Sequence, residues 1–308
     1  MHAIAPDFII AGAPKCGTTS LHHWLNQHPS IHMLPGEPHF FSTDLAYNDP
    51  PMPAGRYARL FDGARPGQLR GDRSTWYLYS SAAAAAIHAA NPQARILILV
   101  RQPADMLHSL HTHFCQRGRR ETVTDLGQAM ALESERRQGR KLPPRSGFPE
   151  KFYYSMLPDY AAGIRRFQAV FGPEQVRVVL FDDLRERPQQ TYDGIISFLG
   201  LPAGFQPDFS VYNQASPLPD SLFRRLWRQG TWRYTVRRFR PRWWQRFHLR
   251  YKQHSRARAA ARQPRRRLDP ALHQSLTERF ENQIRELEAL IERDLSAWRD
   301  QRQESSSS

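Results

Sequence analysis

The chain contains two cysteines, Cys16 and Cys115, and no apolar run that approaches the length of a membrane-spanning helix. Its longest apolar runs, near residues 8–13 and 96–100, are far shorter than the roughly 20 residues that a span requires. Two cysteines are too few for a disulfide framework, and the N-terminus lacks the basic and apolar regions of a secretory signal. We therefore expect a soluble, cytoplasmic protein with reduced thiols, and we interpret Cys16 as a small loop residue rather than a nucleophile.

Acidic residues are absent from one long stretch of the chain. Residues 221–268 hold 16 arginines and one lysine, but none of the 29 Asp and Glu residues, so the formal net charge of +15 arises there. Aromatic residues are interleaved with these arginines: Trp227, Trp232, Phe239, Trp243, Trp244, Phe247 and Tyr251. Such a segment can bind a polyanionic or glycan ligand, or lie at the periphery of an anionic membrane surface. Contact with nucleic acid is a third interpretation, and a solvated, partly disordered arm without a partner is a fourth.

Apolar runs alternate with amphipathic segments along the chain. Strands are predicted at residues 7–13, 30–33, 68–72, 94–100 and 175–181. Helices are predicted at residues 18–27, 80–90, 104–116, 159–171 and 188–199. Continuous aliphatic runs are typical of parallel sheets that are covered on both faces. The pattern predicts an α/β fold, with a doubly wound parallel sheet flanked by helices and ligands at the carboxyl ends of the strands.

We expect a single domain over residues 1–302. An amphipathic helix from Pro270 to Trp298 should close the domain, and residues 303–308 should form a disordered tail. The charged, Pro-containing stretch 117–150 is predicted to leave the sheet as an excursion, and residues 215–260 form a second one.

Residues 7–20 join a strand to a helix through a short Gly/Pro loop, which is the layout of a phosphate cradle. The unpaired N–H groups and the dipole at a helix N-terminus can wrap an anion. Gly12 and Gly17 have the spacing of a nucleotide triphosphatase P-loop, but Thr18 follows Gly17 and the lysine, Lys15, lies inside the loop. We therefore predict a P-loop-like cradle without the magnesium-ATP geometry of a P-loop kinase or NTPase.

The run Ala13–Leu21 resembles the phosphosulfate-binding loop of the sulfotransferases that use 3′-phosphoadenosine 5′-phosphosulfate (PAPS). Arg101 follows a predicted strand, and with Ser109 it is similar to the 3′-phosphate motif of that family. The resemblance implies PAPS as co-substrate and no metal ion, with Arg101 and Ser109 at the 3′-phosphate. It places these loop residues at the 5′-phosphosulfate: Pro14, Lys15, Cys16, Gly17, Thr18, Thr19 and Ser20. From their position, one or more of Arg265, Arg266 and Arg267 are expected to close over the nucleotide.

Gly36–Phe41, with the sequence GEPHFF, resembles a segment of the heparan-sulfate-type and bacterial carbohydrate sulfotransferases in which the Glu is the catalytic base. A carboxylate in a partly apolar pocket has a raised pKa, which suits it to take a proton from an attacking hydroxyl. Glu37 is therefore the expected base, and His39 is the alternative. Gly71–Leu78 resembles the family's G-E-K-[ST]-P-x-Y-L segment, with Thr75 or Trp76 where a Pro is expected. Arg73 replaces the usual Lys, so it can bind a sulfonyl or acceptor oxygen but cannot donate a proton.

The resemblance covers nearly the whole chain except about 117–150 and 215–260, and we expect these two variable segments to determine which acceptor is bound. The expected activity is in-line transfer of the sulfuryl group from PAPS to a hydroxyl or amine of an acceptor. A saccharide or glycolipid is favoured, a small metabolite also fits, and Lys15 would stabilise charge on the leaving oxygen. A P-loop kinase or NTPase, and a non-catalytic basic protein that binds membranes or polyanions, remain as alternatives. His108, His111 and Cys115 share one helical face with metal-ligand spacing, but we interpret them as polar packing residues.

Overall fold

The computed structural model describes residues 5–45, 50–116, 121–143, 147–209 and 268–300. Five strands of the described chain form one sheet: β1 (Phe8–Gly12), β2 (Ile31–Met33), β3 (Leu69–Arg73), β4 (Arg95–Val100) and β5 (Val176–Leu180). Their order is β2-β3-β1-β4-β5, and every neighbouring pair is parallel. The five predicted strands and the α/β fold class are confirmed.

Helices connect and flank these strands. They are α1 (Thr18–Leu25), α2 (Ala54–Ala58), α3 (Ala83–Ala90), α4 (Pro103–Gln116), α5 (Leu126–Ala131), α6 (Glu133–Arg137), α7 (Tyr160–Phe171), α8 (Phe181–Glu186), α9 (Pro188–Phe198), α10 (Pro270–Arg279) and α11 (Glu281–Ile291). The five internal helices expected from the sequence are confirmed. The helices α2, α5, α6 and α8 were not predicted, because five or six residues are too few for a helical period to show.

The closing segment is divided, so the prediction of one helix from Pro270 to Trp298 is wrong. The helix is interrupted at Phe280, which is buried and has a ψ of 14°, and it ends at Ile291 before Glu292 turns to a φ of 50°. α10 packs against α4, whereas α11 packs against α7. The two halves therefore pack on different partners, although the apolar spacing of the sequence continues across the interruption.

The strand order brings three loops together at the carboxyl ends of the strands. β1 is fully buried and lies between β3 and β4, with an irregularity in its register between Ile10 and Gly12. The loops that follow β1, β3 and β4 therefore leave the sheet side by side. The chain order of the strands reverses at β1, and open parallel sheets commonly bind ligands at the carboxyl ends of the strands next to such a reversal.

The chain divides into two compact units, one formed by residues 1–210 with 268–308 and the other by residues 211–267. The second unit lies outside the described residues, as do the tail 303–308 and the predicted excursion 215–260. In the described parts of 117–150 the chain forms helices and loops and no strand. The boundaries of a single domain over residues 1–302 stay a prediction. Among the described helices, none combines the length and the apolar composition needed to cross a membrane.

A buried ion pair holds the 117–150 excursion in place. Arg136 donates to both carboxylate oxygens of Glu121, at 2.8 and 3.0 Å, and both side chains are fully buried. Tyr154 donates a third hydrogen bond to Glu121 at 2.9 Å. Burial raises the pKa of Glu121, but the hydrogen bonds and charge of Arg136 outweigh this and lower it. Glu121 is thus a buried carboxylate that depends on its partner.

Replacing Arg136 by Met should lower the free energy of unfolding by about 3–5 kcal/mol, because it leaves the Glu121 charge buried without its partner. The double variant Glu121→Gln/Arg136→Met removes that charge and keeps an acceptor for Tyr154, so it should be destabilised less. Urea denaturation at neutral pH measures both values. A single variant that is no less stable than the double variant would contradict this account.

Candidate active site

The loop after β1 turns sharply into α1. Lys15 and Gly17 have positive φ angles of 66° and 89°, and Gly17 is the N-cap of α1 without a side-chain cap. The first turn of α1 contains no acidic residue and carries three hydroxyls, from Thr18, Thr19 and Ser20. A helix N-terminus of this kind presents N–H donors and a positive field. The loop therefore has the donors and the sign of charge that a phosphate-type anion requires.

Glycine is required at position 17 by its dihedral angles and its surroundings. A Cβ there would lie 3.0 Å from Cδ2 of Phe181 and 3.2 Å from Leu184, in a conformation that residues with side chains rarely adopt. Phe181 begins α8, and the guanidinium carbon of Arg101 lies 4.6 Å from the centre of its ring. Phe181 thus packs against both Gly17 and Arg101, which holds the loop and the end of β4 close together.

Arg101 projects from the carboxyl end of β4. Its Nη2 atom donates to Asp105 at 3.0 Å, and its carbonyl accepts from Tyr160 at 3.0 Å. The Nε atom of Arg101 is buried and has no hydrogen-bond partner among the described residues. Ser109 is half-buried on α4, one turn beyond Asp105. The structure thus places a cation with one unused donor beside the loop that follows β1, and Ser109 lies on the helix that begins just after Arg101.

The Cys16 thiol is fully buried inside the loop. Burial raises its pKa to about 12, although the charges of Arg101 and Lys15 act in the opposite direction. The thiol is therefore protonated at neutral pH and is no nucleophile. The interpretation of Cys16 as a small loop residue is confirmed.

The Glu37 carboxylate is surrounded by donors from two segments. Its Oε1 atom lies 3.1 Å from Nη1 of Arg73, and its Oε2 atom lies 3.2 Å from Nε2 of His39. Thr75 donates to Oε2 through its hydroxyl at 2.7 Å and its N–H at 3.4 Å. The side chain remains 26% exposed, so it is not sealed off from solvent.

Arg73 connects this carboxylate with the first turn of α1. Its Nη1 atom also donates to Oγ1 of Thr19 at 2.8 Å, and its Nη2 atom donates to the carbonyl of Gly36 at 3.4 Å. The side chain is only 9% exposed. One guanidinium thus contacts the first turn of α1 and the segment after β2. The sequence-predicted residues Thr19, Glu37, His39 and Arg73 lie together in the structure.

The expectation of a raised pKa for Glu37 is wrong. Burial does raise it, but the hydrogen bond from His39 and the charge of Arg73, with the Thr75 hydroxyl, lower it to about 2. The sequence placed Glu37 in a partly apolar pocket, whereas the structure gives its carboxylate a cation and several hydrogen-bond donors. Glu37 is therefore an ionised, weakly basic carboxylate in this arrangement.

A family model described as the sulfotransferase domain matches residues 5–213. The chain belongs to the sulfotransferase family. A sulfotransferase from Alicyclobacillus acidocaldarius, known from its crystal structure, is 30% identical to it and superposes with a TM-score of 0.71, covering 96% of this chain and 99% of its own. The resemblance noted in the sequence, to a family of enzymes with this fold, is confirmed.

Curated relatives of this sulfotransferase chain include two human proteins. Heparan sulfate glucosamine 3-O-sulfotransferase 5 is 26% identical over 209 residues, which are 68% of this chain and 56% of that protein. Bifunctional heparan sulfate N-deacetylase/N-sulfotransferase 2 is 26% identical over 204 residues, which are 64% of this chain and 22% of that protein. The chain therefore spans about half the length of the first relative and a smaller part of the second.

Thr75 is a site residue that the sequence analysis missed. It stands where the sulfotransferase pattern has Pro, and it contributes a hydroxyl and an N–H to Glu37. A proline has neither group. The departure from the family pattern was the available signal, but only the fold shows that position 75 faces position 37.

The His and Cys residues of α4 have other contacts. His111 is buried with its Nε2 atom 2.8 Å from the carbonyl of Val123, and the Cys115 sulfur lies 3.6 Å from the same nitrogen. Within the described ranges, no three His, Cys, Asp or Glu side chains are grouped as metal ligands. His111 and Cys115 therefore pack α4 against the 117–150 excursion.

Replacing Arg73 by Ala should raise the pKa of Glu37, because the cation that favours its ionised form is removed. In the wild type, the carboxyl carbon of Glu37 should show no titration above about pH 4. NMR titration of the protein labelled with 13C at glutamate carboxyls measures this directly. Arg70→Ala is the matched control, since Arg70 lies in the same strand but pairs with Asp7. An unchanged titration in Arg73→Ala would contradict the assignment.

Proposed function

We propose that this protein transfers the sulfuryl group of PAPS to a hydroxyl or amine of a saccharide or glycolipid. The observation that carries the proposal is the contact of one guanidinium, that of Arg73, with both Thr19 and Glu37. Thr19 belongs to the loop suited to an anion, and Glu37 is an ionised, partly exposed carboxylate. Sulfuryl transfer to a hydroxyl requires a site for the sulfuryl donor close to a group that accepts the proton, and the Arg73 guanidinium contacts a candidate for each.

The donor would be held by two groups of residues. Lys15 and the N–H groups and hydroxyls of Gly17, Thr18, Thr19 and Ser20 suit the 5′-phosphosulfate, with Pro14 and Cys16 shaping the loop. Arg101, with its unused Nε donor, and Ser109 suit the 3′-phosphate. Bound PAPS supplies the activated sulfuryl group, and Lys15 favours negative charge on the oxygen that leaves. Arg265, Arg266 and Arg267 lie outside the described residues, and their closing over the nucleotide stays a prediction.

Glu37 accepts the proton of the acceptor in this proposal. Thr75, His39 and Arg73 orient its carboxylate and keep it ionised, so no prior deprotonation is needed. These contacts also make it a weak base, which favours proton transfer late in the reaction, when the attacking oxygen has become acidic. A bound phosphosulfate that draws Arg73 toward Thr19 would weaken the ion pair between Arg73 and Glu37. The pKa of Glu37 would then rise, which makes the carboxylate a stronger base. His39 remains the second candidate for this role.

A saccharide acceptor is supported by the heparan sulfate sulfotransferases among the relatives. Residues 221–268 combine arginines with aromatic residues, which suits an anionic or glycan ligand, and contact with a membrane periphery stays a prediction for the same segment. A small metabolite is the further possibility. Localisation in the cytoplasm is likewise proposed from the sequence alone.

The kinase alternative is disfavoured by the loop itself. Thr18 stands where a P-loop has the lysine that reaches the terminal phosphates, and Arg101 stands where a magnesium-binding Asp is common. A non-catalytic basic protein would leave the contacts among Thr19, Glu37 and Arg73 without a purpose. The proposed activity accounts for both the loop and the carboxylate.

Calorimetric titration tests the donor. The wild type should bind 3′-phosphoadenosine 5′-phosphate and should bind it more tightly than ATP with magnesium. Lys15→Ala should weaken that binding about tenfold or more, since it removes a charge-assisted hydrogen bond. Lys141→Ala, at an exposed lysine of the excursion, is the matched control and should leave it unchanged. Binding of ATP with magnesium alone would overturn the proposal.

The role of Glu37 is tested by Glu37→Gln, which keeps the size of the side chain and removes its basicity. Transfer of radioactive sulfate from PAPS to a heparan sulfate oligosaccharide should fall about 100-fold or more. Binding of 3′-phosphoadenosine 5′-phosphate should stay within about twofold, because the carboxylate makes no contact with the donor in this proposal. Full activity in Glu37→Gln would exclude Glu37 as the base, and His39→Ala would then test the alternative.

A further inference from the structure

Asp72 is a fully buried carboxylate in β3, next to Arg73 in sequence. An isolated buried charge is costly unless donors satisfy it. Three hydroxyls donate to Asp72: Tyr57 at 2.8 Å and Tyr77 at 3.0 Å, both to Oδ2, and Ser74 at 2.9 Å to Oδ1. Burial raises the pKa of Asp72 above its usual value, and these three hydrogen bonds offset only part of that effect.

Two of these hydroxyls also hold the backbone of the segment that carries Glu37. Oγ of Ser74 accepts from the N–H of His39 at 3.0 Å, and the Tyr77 hydroxyl accepts from the N–H of Phe41 at 3.3 Å. Because each hydroxyl gives its proton to Asp72, its lone pairs are directed to those amides. The carboxylate therefore determines which way both hydroxyls point.

The third hydroxyl differs from the other two in one respect. Tyr57 donates to the same oxygen of Asp72 as Tyr77, but its hydroxyl makes no bond to the backbone of Gly36–Phe41, a segment that the structure describes in full. Its ring stacks on Phe40, with centroids 4.2 Å apart and planes 7° from parallel, and this contact needs no hydroxyl. Tyr57 and Tyr77 thus differ in whether their hydroxyl reaches the segment that carries the base.

The segment needs such support because its backbone is strained. His39 has a φ of 50°, in the left-handed region that residues other than glycine adopt at a cost of about 1–3 kcal/mol. This turn brings Nε2 of His39 to 3.2 Å from Glu37. Without the bond to its N–H, His39 can relax toward an ordinary conformation. The contact with Glu37 would then lengthen.

We propose that Asp72 is the positioning residue of the base segment, defined here as Gly36–Phe41, which it holds through Ser74 and Tyr77. Asp72 contacts neither Glu37 nor any reacting atom in this proposal. It orients two hydroxyls, these fix two amides, and the amides fix the turn from which Glu37 reaches the site. The proposal rests on the proposed function, in which Glu37 accepts the proton.

The sharpest test compares Tyr77→Phe with Tyr57→Phe. Each variant removes one phenol hydrogen bond to Oδ2 of Asp72, so both should lose similar stability, but only Tyr77→Phe releases the N–H of Phe41. We expect kcat for transfer to a heparan sulfate oligosaccharide to fall about tenfold or more in Tyr77→Phe and in Ser74→Ala. In Tyr57→Phe it should stay within about threefold. The affinity for 3′-phosphoadenosine 5′-phosphate should be unchanged in all three.

Amide hydrogen exchange provides a second measurement that does not depend on activity. Exchange at His39 should accelerate in Ser74→Ala, and exchange at Phe41 should accelerate in Tyr77→Phe, whereas Tyr57→Phe should leave both as in the wild type. Because Asp72→Asn risks general misfolding, these hydroxyl variants carry the test. Urea denaturation of each one separates local release from loss of global stability.

Equal losses of kcat in Tyr57→Phe and Tyr77→Phe, in proportion to their stability, would overturn the proposal and leave Asp72 a structural residue. Unchanged exchange at His39 and Phe41 in Ser74→Ala and Tyr77→Phe would overturn it as well. Absence of transfer by the wild type would instead refute the proposed function. The exchange measurements would still decide whether Asp72 holds the base segment.

Discussion

The ion pair between Arg73 and Glu37 depends on the order of the strands. Glu37 follows β2, Thr19 belongs to the helix after β1, and Arg73 ends β3, which lies between those two strands. Because β3 lies between them, the Arg73 side chain can contact both the segment after β2 and the helix after β1. The Arg73 side chain is only 9% exposed, so water screens its charge weakly. Burial alone would raise the pKa of Glu37, but the hydrogen bond from His39 and the charge of Arg73 together lower it.

An arginine suits this place for geometric reasons. Its planar guanidinium directs N–H groups to Thr19, Glu37 and the carbonyl of Gly36 at the same time, which the compact ammonium of a lysine matches less well. Because arginine stays charged, it cannot supply a proton, and it keeps the carboxylate weakly basic. In the proposed function, any proton donated to the leaving group must then come from elsewhere, and Lys15 is proposed to act through its charge.

Four consecutive residues, 72 to 75, serve two purposes in alternation. Asp72 accepts from Ser74, whose Oγ in turn accepts from the N–H of His39 in the base segment, whereas Arg73 and Thr75 contact the Glu37 carboxylate. Side chains along an extended chain alternate between two sides, so one short stretch can do both. The orientation of Glu37 therefore comes from the end of β3 and the residues just after it as much as from the segment that carries it.

The aliphatic runs and the glycine spacing of the sequence were sufficient to predict the five strands, the loop that joins β1 to α1 and Arg101 at a strand end, because these features are local. Residues 19, 37 and 73 were each predicted for the site from sequence motifs, and the structure brings them together. The break at Phe280, the lowered pKa of Glu37, the part played by Thr75 and the support from Asp72 were decided by the tertiary structure. Each arises from contacts between segments far apart in the chain, and hydrophobic periodicity and motif spacing carry no information about which distant groups face one another.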